Sequence, residues 1–168
     1  MCNPLQIAEK IDIWVSKLGE IVSIILLITV AATVIEVISR YFFNSPTAWA
    51  YEIEMFTCGV LYVLVGAYVL QKDGHVGVDM FYRNMPRKWQ LIMNILVIYP
   101  LILVMMVLLV YIGFKFAWSS YIIKERSYTN WAPLLWPVKV SLPIGSTLMV
   151  LQLFSKIIRD IYILRGNS

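Results

Sequence analysis

Three carboxylates and one arginine sit where an oily chain has least tolerance for charge. Glu36 and Arg40 stand one helical turn apart near the end of one apolar run, and Glu52 and Glu54 open the next. A carboxylate inside a membrane segment can carry a proton or a cation. It can equally pair with a cation one turn away, which lowers the cost of both charges and ties helices together. Two acids at the start of a helix also suit its positive dipole end and need no transport chemistry. We read the group as a structural joint, with a carrier role as the competing reading. His75, with Asp79 four residues later, reads as a polar cap at a helix end, against a pH-sensitive contact. A lone histidine cannot complete a two-histidine haem site, and no Cys, His and carboxylate cluster supplies a metal's ligands. A Gly-rich phosphate loop, a nucleophile elbow and a Cys-x-x-Cys pair are all missing. The expectation is a protein without cofactor that is not an enzyme.

The elements that must position these residues follow from composition. The 168 residues are 60% hydrophobic and 14% charged, whereas about a quarter of a soluble domain is charged. Apolar runs of roughly 20 residues are needed to span a bilayer as helices, and four are present, at about 18–43, 48–70, 89–116 and 138–158. They lack strand alternation, and an open sheet leaves its backbone unsatisfied in lipid. The fold class is therefore an all-α membrane protein of four transmembrane helices in one domain, 1–168. The polar stretch 1–17 argues against a cleaved signal peptide, and Cys58, inside the second run, is expected to be a buried thiol unpaired with Cys2. Lys10, Lys17, Lys72, Arg83, Arg87, Lys88, Lys156, Arg159 and Arg165 fall on one side. Only Arg40, Lys115, Lys124, Arg126 and Lys139 fall on the other, which places both the N and C termini in the cytoplasm. The net charge of +4 reads as topology plus attraction to membrane lipids, and no nucleic acid partner is implied.

Within 1–17 and just beyond, Ile7, Ile11, Trp14, Leu18 and Ile21 recur at helical spacing, an amphipathic N-terminal helix that either lies flat at the interface or extends the first span. Ser45 as cap and Pro46 as first helical residue predict a tight hairpin between spans one and two. Arg40 and Glu52 then lie at similar depth, and a cross-helix ion pair is expected. Gly74 suits a helix terminus. After it, Val76, Val78, Phe81 and Tyr82 suggest a surface segment before Pro86 starts the third span. The link at about 117–137 carries an aromatic belt of Trp118, Tyr121, Tyr128, Trp131 and Trp136, and Pro143 predicts a kink or a late start to the fourth span. Small residues (Ala31, Ala32 and Ser39; Gly59 and Gly66) turn spans one and two toward protein, while span three suits lipid.

The segment "RYFFNSPTAWAYE", followed by "KDGHVGVDMFY", resembles the two signatures of the small membrane subunit, DctQ or SiaQ type, of tripartite ATP-independent periplasmic (TRAP) transporters. The matching positions are Arg40, Tyr41, Phe43, Asn44, Pro46, Trp49 and Glu52, then Gly74, His75 and Asp79. "WAPLLWPVKVSLPIG" is similar to the family's Pro-rich approach to its last helix, through Pro133, Pro137, Pro143 and Gly145. One departure is that Tyr51 precedes Glu52 and Glu54 follows it, where many relatives carry a second acid and then a base. The resemblance implies a bacterial inner-membrane scaffold with no substrate site of its own. In such a system a periplasmic substrate-binding protein captures an organic acid, of the sialic acid or C4-dicarboxylate class. A large DctM- or SiaM-type permease then carries it inward with sodium by an elevator motion. The motif residues, with Glu36, would hold the hairpin and its partner interface. The alternative is a stand-alone proton/drug exchanger of the small multidrug resistance type, which is shorter and carries its glutamate nearer mid-membrane.

Overall fold

A computed structural model describes residues 4–72 and 86–164. Helix α1 (Pro4–Phe42) is one unbroken rod of 39 residues, so the amphipathic segment extends the first span and does not lie apart from it. It ends where Asn44 takes a left-handed φ of 50°, a conformation that asparagine tolerates better than most residues, and the Ser45 amide donates back to the Ser39 carbonyl at 3.0 Å. Helix α2 (Ala48–Gln71) follows. After Pro86, α3 (Arg87–Met93) passes through a π-helical turn (Asn94–Ile98) into α4 (Tyr99–Ile122). Pro100 is the physical cause nearest to hand: it has no N–H to give, and its ring crowds the carbonyl four residues back, which a widened turn relieves. Helix α5 (Trp136–Leu164) includes Pro143, two turns in, so the late start is not observed.

Four helical stretches, Leu5–Phe42, Ala48–Gln71, Lys88–Ile122 and Trp136–Leu164, are long and apolar enough to cross a membrane. No strand occurs among the described residues. The hub is α5, which packs on α1, α2 and α4, while α1 and α2 form the hairpin. In its most apolar stretch 39% of α5 is buried, against 6% for the third span, so the third span has the more open face. Close approach at the hub needs glycine. A β-carbon on Gly145 would lie 2.4 Å from Val63 Cγ1 and 2.6 Å from the Val63 carbonyl oxygen, and one on Gly113 would lie 3.1 Å from Pro143 Cδ.

The inward face of α1 is a seam repeating every seven residues: Ala8, Val15, Val22, Thr29 and Glu36 are all buried. A strict seven-residue repeat keeps a helix's seam on its neighbours through a left-handed wrap. The stripe Ile7, Trp14 and Ile21 stands one residue off this seam and faces outward, with Trp14 71% exposed. On α1, alanine, valine and polar side chains mark the inside and the largest apolar ones stay out, because lipid receives an aliphatic surface as well as a neighbouring helix does. Midway along the seam the Thr29 hydroxyl donates to that of Thr57 on α2 at 2.7 Å, and Thr57 in turn donates to the Ile53 carbonyl at 2.7 Å.

Candidate functional site

Two polar clasps hold the bundle, one at the hairpin end and one at the end where α1 starts and α5 finishes. At the hairpin end Arg40 turns back along its own helix to Glu36, with Nη2 at 2.7 Å and Nε at 3.2 Å from Oε1. The other Glu36 oxygen accepts the Thr47 amide at 3.0 Å and the Thr47 hydroxyl. Thr47, not Ser45, is the N-cap of α2, and Pro46 precedes it outside the helix. The reason is chemical: a threonine cap normally accepts from the first turn, but here its donors are drawn to a carboxylate of α1. The hairpin is therefore closed by Glu36.

The cross-helix pair of Arg40 with Glu52 does not form. Glu52 is 2% exposed, and its Oε1 accepts the hydroxyl of Thr129, from the link between α4 and α5. Its Oε2 has no hydrogen-bond partner. Truncating Arg40 and Glu52 together should therefore give additive losses of thermal stability, whereas Glu36 with Arg40 should be strongly non-additive because they share one contact. Detergent melting of both double-mutant cycles measures this; coupling between Arg40 and Glu52 would contradict the geometry.

The link over Glu52 is itself ordered. Leu135 donates to the Glu125 carbonyl and Ser127 to the Pro133 carbonyl, each at 3.0 Å, around an isolated bridge between Arg126 and Leu134. Glu125, Ser127 and Thr129 are half-buried while Lys124, Arg126, Tyr128 and Asn130 are exposed. Glu125 forms a salt bridge with Lys139 of α5, and that hydrogen-bonded ammonium holds the Glu125 carboxyl below its ordinary value. Lys139 also lies 3.9 Å from the centroid of Phe116, a favourable cation–π contact. Of the expected belt, Tyr121 meets Trp136 edge-on at 5.5 Å, and Trp118, Tyr128 and Trp131 are exposed.

At the other end the organising residue is Asp12, which reads from the sequence as one polar position of an amphipathic helix. Its Oδ1 accepts Gln152 Nε2 and Ser155 Oγ, both at 2.8 Å, and its Oδ2 pairs with Arg159. Gln71, the last residue of α2, donates to the Asp12 carbonyl at 2.8 Å and accepts the Ser16 hydroxyl at 3.0 Å. A further contact joins the Tyr99 hydroxyl to Asp160. The missed signal was legible in principle: Gln152, Ser155 and Arg159 share one face of α5 at helical spacing, and a polar face on a spanning helix needs a partner.

The remaining motif residues separate into two groups. Tyr41, Asn44, Pro46 and Trp49 are exposed at the hairpin end and so are available to something outside this chain. Gly74, His75 and Asp79, with the surface segment expected around them, lie outside the described residues.

These features define an integral membrane bundle whose buried charges fasten helix to helix. A family model described as tripartite ATP-independent periplasmic transporters, DctQ component, matches residues 29–162. The chain belongs to that family, and is the small membrane component of a TRAP transporter. Comparison with curated proteins returned no match.

Proposed function

We propose that this chain is the fixed scaffold of a sodium-coupled importer of an organic acid, of the sialic acid or C4-dicarboxylate class. It anchors a large elevator-type permease of the DctM or SiaM kind in the bacterial inner membrane, with both termini in the cytoplasm. A periplasmic binding protein delivers the substrate. The observation that carries this reading is the fate of three acids: Glu36, Glu52 and Asp12 each accept hydrogen bonds from another element of the same chain. An ion carrier needs acids that can release their partners in every cycle, whereas a scaffold needs them fixed. The exposed Tyr41, Asn44, Pro46 and Trp49 are the proposed hairpin-end contact with the permease, and Gly74, His75 and Asp79 complete the partner interface on the cytoplasmic side.

The test is purification of tagged chain in mild detergent after coexpression with its neighbouring genes. A one-to-one complex with a large permease is expected, and the chain alone in liposomes under a sodium gradient should take up no organic acid. Recovery as a self-dimer without a large partner, or uptake by the chain alone, would favour an independent exchanger and overturn the scaffold.

A further inference from the structure

Helices α1 and α5 overrun α2 at the end away from the hairpin, because α2 stops at Gln71, level with Asp12 and Ser16. Between the first turns of α1 and the last turns of α5 they leave an open groove of about 340 Å³, lined by Leu5, Glu9, Arg159, Tyr162 and Ile163. Its composition is specific: one carboxylate, one guanidinium, one phenol and two aliphatic side chains. Glu9 is exposed and makes no ion pair among the described residues. Arg159 is held by Asp12 through one terminal nitrogen while its side chain remains 50% exposed, so the guanidinium is oriented yet keeps donors to offer. Fixing a cation beforehand lowers the cost of using it in binding.

We propose that this groove binds the headgroup of a zwitterionic phospholipid with a primary amine, a phosphoethanolamine. The phosphate is met by Arg159, assisted by the Tyr162 hydroxyl, since a guanidinium presents forked donors that match phosphate oxygens. The ammonium is met by the Glu9 carboxylate. Leu5 and Ile163 receive the start of an acyl chain. The position fits, because the groove lies at the ends of two helices long and apolar enough to cross a bilayer. Charge decides between lipids: Arg159 alone would favour any phosphate, but Glu9 finds a countercharge only in the ammonium, because a phosphoglycerol headgroup is neutral beyond its phosphate and a quaternary choline offers no hydrogen bond. The unpaired acid therefore makes the groove selective for the amine-bearing zwitterion over an anionic phosphoglycerol.

Native mass spectrometry of the full-length chain, equilibrated with an equimolar mixture of phosphatidylethanolamine and phosphatidylglycerol, tests this independently of any permease or transport assay. Wild type should retain one phosphatidylethanolamine with a preference of about three- to fivefold, the scale of one interfacial ion pair. Glu9→Gln sits on an exposed position, keeps the fold and should abolish that preference by removing the carboxylate that pairs with the ammonium. Tyr162→Phe should weaken retention of both lipids alike. Equal retention of the two lipids by wild type, a preference for phosphatidylglycerol, or a wild-type preference that Glu9→Gln leaves unchanged would each overturn the proposal.

Discussion

Replacing Asp12 by alanine should destabilise the bundle by about 2 kcal/mol, the scale of leaving buried hydrogen-bonding side chains without their acceptor, since the Arg159 end of the ion pair is half-exposed. The reason lies in what is left behind. Arg159, Gln152 and Ser155 lose their common acceptor, and Gln152 is 1% exposed with its Oε1 already unpartnered, so it has no water to turn to. Buried polar groups without partners cost more than the bonds they lose are worth. Asp12→Asn keeps an acceptor oxygen but gives up the charge opposite Arg159, and should fall between wild type and alanine. Thermal melting in detergent, read by near-ultraviolet circular dichroism or by the monodisperse fraction surviving heating, measures both. A midpoint for Asp12→Ala equal to wild type would mean that the clasp away from the hairpin contributes nothing.

The second large effect is expected from the smallest addition. Gly145→Ala puts a methyl group within 2.6 Å of the Val63 carbonyl oxygen and 2.9 Å of its carbonyl carbon, atoms that cannot rotate away. Helix α5 must then move off α2, and a cost of about 1–3 kcal/mol or more follows from overpacking. Gly66→Ala is the control, because its nearest neighbour is the flexible Met149 side chain, with Sδ at 3.0 Å. Gly145→Ala should therefore lower the melting midpoint clearly more than Gly66→Ala. The reverse order would mean that the two helices are not packed through Gly145.

The number of spans was legible because length and apolarity alone decide it; the orientation of each helix was not. In water an apolar stripe reports the inside, but α1 here turns Trp14 out and Ala8, Val15 and Val22 in, since lipid and protein compete equally for large side chains. Pairing failed for a related reason. Arg40 and Glu52 are similarly spaced from the turn in sequence, yet a threonine at the turn claims Glu36, and Thr129, far along the chain, claims Glu52. Hydroxyl partners of this kind leave no periodic trace. Local logic succeeded where the partners were one turn apart, as with Glu36 and Arg40. It also located Gly66, which does pack tightly on the hub through Met149. The π-helical turn at Asn94–Ile98 had Pro100 as its only advance notice.

Asp12 and Glu36 anchor the two clasps on a single helix with no proline or loop between them, and 24 residues of α1 separate them, about 36 Å at the rise of an α-helix. A hydrocarbon core is about 30 Å thick. The chain thus carries a calliper: its two polar jaws are set slightly wider than the oil they straddle, and the gap cannot close because the arm is rigid. A thinner bilayer favours leaning the whole arm, which would convert membrane thickness into tilt of everything bolted to it.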